Sequence, residues 1–156
     1  MTITHPAYAS LALAAIPDPD YADMSICVLP AHATSDPAAW ARNLFSLSSM
    51  PKWIVVALAL RQAFAPLMGI KRAPKNVFHV LDTVGDEALI AFEDTHLDFA
   101  VGVGVSESTN TVRVTTTVRL KNARGHLYFL PVRLLHPFVI QSMLKRSRRV
   151  LSGVTA

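Results

Sequence analysis

The sequence predicts an α+β domain in which an antiparallel sheet wraps around a long C-terminal helix, with two helices after the first strand. Three observations support this class. Around Val77 the spacing of apolar residues changes from a period near 3.6 to a period of 2, which marks a passage from helices to strands. Two long segments then alternate apolar and other residues. Helical spacing returns from Leu135 to Leu151.

Length and composition fit one folded domain. The chain has 156 residues, of which 51% are hydrophobic and 17% are charged, and this excludes disorder and favours a core or cavity rich in apolar side chains. We expect residues 1–20 to be a poorly ordered lead-in and residues 21–156 to form the domain.

The cysteine content and the length of the apolar runs suggest the cellular compartment of the protein. Cys27 is the single cysteine, which rules out an internal disulfide and suits a reducing cytoplasm. The apolar stretches at Ala7 to Ile16 and at residues 53–60 are shorter than the roughly 20 residues that cross a bilayer. The expectation is a cytoplasmic protein with no membrane span, in which residues 53–60 form a buried helix face.

The first strand and the first two helices are predicted from residues that typically begin or end such elements. A strand-like run covers residues 24–30, and the Asp36-Pro37 pair then predicts a helix start, because Asp accepts a free backbone N–H and Pro has none to lose. That helix should reach about Leu47. A second helix is predicted from Pro51 to Met68, with Gly69 following its end.

The pattern of the central segments predicts antiparallel strands. Residues 97–105 alternate strictly, as do residues 112–120, so the two segments form a hairpin around Ser108-Thr109 with one half-buried face. This register pairs Asp98 with Arg119, and a shift of two pairs it with Lys121. A second hairpin is predicted at residues 122–125, followed by a strand through residues 126–134 and then the terminal helix.

Charge is unevenly distributed along the chain. Residues 1–107 contain all eleven acids and six of the lysines and arginines, whereas residues 108–156 contain nine lysines and arginines and no acid. This asymmetry favours contact with an anionic ligand, an anionic membrane surface or RNA through the C-terminal part. Alternatively, the two parts interleave in one sheet and their charges pair.

Several motifs resemble a known family. They are PKW at 51–53 with Leu60-Arg61, EDTHLDF at 93–99, VTTTV at 114–118 and LLHPF at 134–138. Together with the order of the elements, they resemble the bacterial family known as domain of unknown function 2867, within the START-like, polyketide-cyclase-like (SRPBCC) superfamily. The resemblance spans about residues 21–151. It implies a helix-grip fold, whose members mostly enclose an apolar ligand beneath the terminal helix.

Candidate site residues follow from the pattern and from this resemblance. His96 and Asp98 lie two apart on a predicted strand and are weak catalytic candidates, or both lie on the polar outer face. The helix-grip arrangement implies a pocket between sheet and helix, with a hydroxyl or imidazole supplying the few polar contacts. Its expected ligand-binding residues are Trp53, Phe99, Thr116, Tyr128, His136 and Phe138. No metal spacing occurs, and we expect no metal and no cofactor.

Two functions remain open. The first is a binding module for an apolar or amphipathic small molecule, favoured because the predicted inner face has few titratable groups. The second is a cyclase-like or hydrolase-like enzyme that uses the same cavity. A partner-binding or nucleic-acid-binding module is a minor alternative, and we expect no nucleic acid because the basic residues lack interleaved aromatics. Oligomeric state stays open, with a homodimer as one option.

Overall fold

The protein folds as an α+β domain with an open five-stranded antiparallel sheet and a long C-terminal helix. The computed structural model describes residues 9–64, 66, 69 and 78–153, without the side chains of residues 57, 58, 60–62 and 64. The order of elements is α1 (Leu11–Ala15), β1 (Tyr21–Val28), α2 (Pro37–Leu44), α3 (Lys52–Phe64), β2 (Asp82–Val84), β3 (Glu87–Glu93), β4 (Leu97–Ser106), β5 (Thr111–Leu120) and α4 (Ala123–Leu151).

The strands follow the order β1-β5-β4-β3-β2, and every neighbouring pair is antiparallel. The predicted register of the central hairpin is confirmed, since Leu97 pairs with Leu120 and Asp98 with Arg119. The connecting loop has four residues rather than two, and Asn110 closes it in the left-handed conformation at φ 53°. Two helices follow β1, as predicted.

The main core lies on one face of the sheet. α2 begins as predicted, because the Asp36 side chain accepts a hydrogen bond from the Ala38 N–H and Pro37 occupies the first turn. This helix ends at Leu44, three residues earlier than predicted. Its apolar side packs against strand residues and the C-terminal half of α4. Central members are Trp40, Leu44, Ile90, Val103, Val112, Val114, Met143 and Leu144.

The opposite face of the sheet is also partly covered, which the sequence did not predict. Ser10 caps α1, and the carboxylate of Glu87 accepts hydrogen bonds from the Ser10 hydroxyl at 2.6 Å and the Leu11 N–H at 3.0 Å. Ala12 packs on Ala100, so β4 is buried on both faces along part of its length. The stretch interpreted as a lead-in therefore contributes a helix to the fold.

α4 begins twelve residues earlier than predicted, and the second hairpin is absent from this region. The Asn122 side chain accepts a hydrogen bond from the Gly125 N–H at 2.9 Å and caps the helix. Residues predicted as a strand instead form the first half of a 29-residue helix. Pro131 and Pro137 lie inside it, where each removes one backbone N–H that would bond four residues back.

The face predicted to be buried on α3 is buried only in part. Ile54 lies in the protein interior, but Trp53 and Val56 are at least half exposed. The side chain of Leu58, which belongs to the same run, lies outside the described residues, as does the predicted end of the helix at Met68. Gly69 has the positive φ of 68° expected of a residue that follows a helix end.

Charges from the two parts of the chain meet across the sheet. Arg113 lies 3.2 Å from Asp86, and Lys121 Nζ lies 2.5 Å from Asp98 Oδ1. The second contact is an ion pair whose angles do not fit a hydrogen bond. The prediction that Asp98 pairs with Arg119 or Lys121 is confirmed. Part of the charge asymmetry is thus resolved by interleaving in one sheet.

Candidate functional site

A buried polar cluster joins β1 to the middle of α4. Asp23 Oδ2 accepts a hydrogen bond from the Tyr21 hydroxyl at 2.5 Å and lies 2.7 Å from His136 Nδ1. The side chains of Asp23 and His136 are only 15% and 16% exposed. Thr116 is the cross-strand partner of Asp23 and is also buried. We call these four residues the Asp23 cluster.

The alternation of β1 explains how the cluster forms. Tyr21, Asp23, Ser25 and Cys27 share one face of the strand, and α4 packs along that face. β1 is an edge strand that pairs with β5 alone. α4 covers the face of β1 that points toward the core. His136 lies near the midpoint of the helix, so a residue 113 positions away in the chain is brought against Asp23.

The hydrogen bonds decide the protonation of the carboxylate. Burial opposes ionisation of Asp23 and alone would raise its pKa, but the hydrogen bonds from His136 and Tyr21 outweigh burial and lower the pKa below its usual value. An ionised carboxylate only accepts hydrogen bonds, so Nδ1 of His136 carries the proton that it donates. This arrangement leaves Nε2 of His136 as the ring atom available to another group.

Tyr21 is held in its neutral form. Burial, together with the hydrogen bond to Asp23 and the charge of that carboxylate, raises the pKa of Tyr21 far above its usual range. Its ring also makes an edge contact with Phe129 at 5.2 Å between centroids and another with His136 at 5.9 Å. The Arg133 guanidinium lies 6.0 Å from the Tyr21 ring centroid. The hydroxyl is therefore a fixed hydrogen-bond donor.

Two polar atoms of the cluster lack a well-formed hydrogen bond within the part of the chain that the structure describes. Asp23 Oδ1 and Thr116 Oγ1 are both buried, and neither forms a hydrogen bond with any residue that the structure describes. The Thr116 hydroxyl nevertheless lies close enough to the Asp23 carboxylate to donate weakly to it and so to help lower its pKa, although the geometry is not that of a well-formed hydrogen bond. Buried polar atoms without partners are uncommon and costly, by about 1–3 kcal/mol each. A group that offers both a donor and an acceptor would satisfy the two atoms.

A groove opens farther along the same seam between β1 and α4. Its volume is about 370 Å³. Cys27, four residues along β1 from Asp23, is one of its lining residues. The remaining lining residues come from α4 and are Phe138, Gln141, Ser142, Leu144, Lys145 and Arg148. The lining therefore combines apolar side chains with two cations, Lys145 and Arg148.

Cys27 in this groove is not an activated nucleophile. Burial raises the pKa of its thiol, and the positive charge of Arg148 offsets this only in part. Cys27 instead behaves as a small apolar residue and packs against the main core.

The proposed His96 and Asp98 pair is not assembled as a dyad. His96 lies just before β4 and is buried, with its Nδ1 within 3.2 Å of the Asn122 side chain. The His96 carbonyl accepts the Lys121 N–H at 2.9 Å. Asp98 instead pairs with Lys121. His96 thus helps to fix the start of α4, and the structure gives it no carboxylate partner among the described residues.

The other predicted ligand-binding residues are not gathered into one pocket. Thr116 and His136 meet at Asp23, and Phe138 lines the groove. Phe99 belongs to a separate group of aromatic rings with Phe78 and Phe92, and Trp53 is half exposed on α3.

Two placements differ from the prediction. His136 lies within α4 rather than at a junction between a strand and a helix, because the helix begins at residue 123. Tyr128 also lies on α4, in its second turn and partly buried, rather than on a strand.

Sequence reasoning missed Tyr21 and Asp23. The signal was present, since a tyrosine and an acid two apart share one face of a strand whose next residues on that face are small. The strand was predicted to begin at residue 24, however, so both residues fell in the preceding loop. Among the residues that the structure describes, no group of three His, Cys, Asp or Glu side chains is placed to hold a metal ion.

The fold and the cluster define an α+β domain with an open antiparallel sheet, a long terminal helix and a buried carboxylate between them. The chain belongs to the family described as protein of unknown function DUF2867, whose model matches residues 15–143. No curated protein and no solved structure matches the chain.

Proposed function

We propose that the domain binds an apolar or amphipathic small molecule that carries a hydroxyl or amine, with the Asp23 cluster as its polar anchor. The observation that carries the proposal is a pair of buried atoms, Asp23 Oδ1 and Thr116 Oγ1, for which the described residues provide no well-formed hydrogen bond. A ligand hydroxyl can donate to the carboxylate oxygen and accept from the threonine. An amine can satisfy the carboxylate alone.

Charge supports an anchor for neutral or cationic donors. Because hydrogen bonds lower the pKa of Asp23, the carboxylate is ionised at neutral pH and favours a donor over an acceptor. An anionic headgroup would be repelled at this position. The groove at Cys27 and Phe138, on the same seam, offers apolar surface for the rest of such a molecule.

The wider interpretation is a helix-grip, START-like domain of the SRPBCC superfamily. It is supported by the long terminal helix, the antiparallel sheet and the two helices after β1. In that arrangement the ligand lies between the sheet and the terminal helix, which is where the Asp23 cluster is found. Fold alone does not establish a ligand, so the cluster carries the argument.

The decisive experiment is native mass spectrometry of protein purified from cells, followed by extraction and identification of any bound species. Binding of the fluorescent apolar probe N-phenylnaphthylamine, whose single N–H can donate to a carboxylate, is measured in parallel. Asp23→Asn and Thr116→Val should weaken binding about tenfold or more, since each removes one anchoring bond to a buried group. Asp98→Asn is the matched control, because its side chain is equally buried at 15% exposure but lies in an ion pair with Lys121.

Certain results would contradict the proposal. One is a mass equal to the bare chain together with no probe binding. The other is probe binding that is unchanged in Asp23→Asn and Thr116→Val, which would place the ligand away from the cluster. Circular dichroism of each variant confirms that the fold is retained.

A second candidate function is an enzyme of the cyclase or hydrolase type. The specific observation is the hydrogen bond from His136 Nδ1 to Asp23, which orients the imidazole and leaves Nε2 to take a proton from a bound molecule. His136→Ala separates the two functions once a ligand is known. Loss of turnover with retained affinity indicates chemistry, whereas loss of affinity with no turnover in the parent protein indicates a carrier or sensor.

A further inference from the structure

The outward face of α4 carries an exposed row of large apolar side chains. Leu127, Leu130 and Leu134 are between 59% and 69% exposed, and Phe138 continues the row. Their spacing of three, four and four residues places them on one side of the helix. We call these four residues the α4 stripe. It spans about three helical turns, or about 17 Å.

The opposite side of the same helix packs against the rest of the protein. Phe129, Ile140, Met143, Leu144 and Ser147 are buried against the sheet and α2. α4 is the one helix among the described residues that is long and apolar enough to cross a membrane, yet only 22% of its apolar window is buried. Crossing a bilayer would separate His136 from Asp23 and expose the main core. An interfacial position keeps both intact.

The charges along α4 are of one sign. The helix contains six lysines and arginines and no acid. Lys145, Arg148 and Arg149 follow the stripe along its outward side toward the C-terminal end, and Arg124 precedes it. No ion pair joins any of the six to an acid among the residues described. The apolar stripe is therefore followed by cations that have no acidic partner within the described part of the chain.

We infer that the α4 stripe docks on an anionic lipid surface, with the leucines entering the interface and the C-terminal cations contacting lipid phosphates. Apolar burial and attraction to anionic headgroups are the two terms that bind such helices to membranes. A second copy of the chain fits the stripe less well. Two such helices face to face would bring cations of one sign together with no acid on either helix to balance them.

Vesicle sedimentation tests this inference, using phosphatidylcholine vesicles with and without phosphatidylglycerol. We expect binding that requires phosphatidylglycerol and weakens at high salt. Leu130→Gln with Leu134→Gln should reduce partitioning more than tenfold, because both side chains are exposed in the free protein and buried on binding. Arg149→Gln should reduce it roughly fivefold, and only on the anionic vesicles.

The matched control is Met24→Gln with Ile26→Gln. These two apolar side chains are also about half exposed, but they lie on the outer face of β1 rather than on α4. They should leave vesicle binding unchanged. None of the substituted residues belongs to the Asp23 cluster or the groove, so failure of this inference is distinguishable from failure of the proposed function.

Three outcomes would overturn the inference. The first is equal binding to both kinds of vesicle. The second is loss of binding in the β1 control rather than in the leucine variant. The third is a concentration-dependent dimer in sedimentation velocity that the leucine variant abolishes, which would assign the stripe to a second copy. Far-ultraviolet circular dichroism checks that every variant keeps its helical content.

Discussion

Asp23→Asn is the substitution that tests the buried cluster most directly. Asparagine keeps the shape of the side chain and removes its charge. The two hydrogen bonds from Tyr21 and His136 to Oδ2 then become bonds to a neutral acceptor. Bonds to a charged group contribute about 1.5–3 kcal/mol and neutral ones about 0.5–1.5 kcal/mol, so the expected loss is about 1 kcal/mol per bond. The total loss of folding stability is about 2 kcal/mol. Part of this loss is offset, because the neutral side chain avoids the free-energy cost of burying a charge.

The sign of the pH dependence provides a second readout. The pKa of Asp23 is lower in the folded protein than in the unfolded chain, so its contribution to stability is complete above the unfolded pKa. It is lost as the pH falls through that value toward the folded pKa. The stability difference between the parent protein and Asp23→Asn should therefore be largest near neutral pH and should shrink in acid.

Urea denaturation at neutral and acidic pH measures both quantities. Asp98→Asn is the control, because its partner Lys121 is 36% exposed and such pairs are worth about 0.2–1 kcal/mol. Equal stabilities of Asp23→Asn and the parent protein at neutral pH would refute the reasoning about the hydrogen bonds. A difference that persists unchanged in acid would show that packing rather than charge is responsible.

Three further substitutions or measurements test other contacts. Gly125→Ala should lower the free energy of unfolding by roughly 1–3 kcal/mol, because the new methyl meets the backbone carbonyl of His96; an unchanged denaturation midpoint would contradict this. Gly102→Ala should displace the Glu87 carboxylate and loosen α1, seen as faster amide exchange near the N-terminus. Alkylation of Cys27 by iodoacetamide at neutral pH should be slower than in the urea-unfolded chain, because its raised pKa leaves less thiolate.

The two strands of the central hairpin were predictable because the sequence pattern that defines them is local. The alternation at residues 97–105 and 112–120 sets which side chains share a face, and the loop between them then sets the register. The Asp36-Pro37 helix start was predictable for the same reason, since the cap and the first turn lie within three residues.

The first half of α4 was not predictable from local rules. Asn122 to Gly125 reads equally well as a hairpin turn, and two prolines argue against a helix interior. What decides the outcome is distant, since the helix packs Phe129 against Tyr21 and places His136 on Asp23. Tertiary contacts with β1 thus outweigh a weak local preference.

The site was half predicted for a related reason. Thr116 and His136 were singled out from a resemblance to a helix-grip fold, but the residue that joins them, Asp23, lay outside the predicted strand. A cluster assembled from a strand near the start of the chain and a helix near its end has no spacing signature along the sequence. Only the course of α4 reveals it.

The proposed ligand site and the inferred lipid contact both involve α4 and lie next to each other on it. Phe138 belongs to the stripe and also lines the groove, and Lys145 and Arg148 lie at the groove and in the cationic end of the helix. The groove therefore opens beside the surface that would meet lipid. A substitution at Phe138 would disturb the α4 stripe and the groove together. It could therefore not distinguish lipid docking from ligand binding. Leu130 and Leu134 affect the stripe alone, and Asp23 affects the anchor alone, so these residues are where the two roles divide.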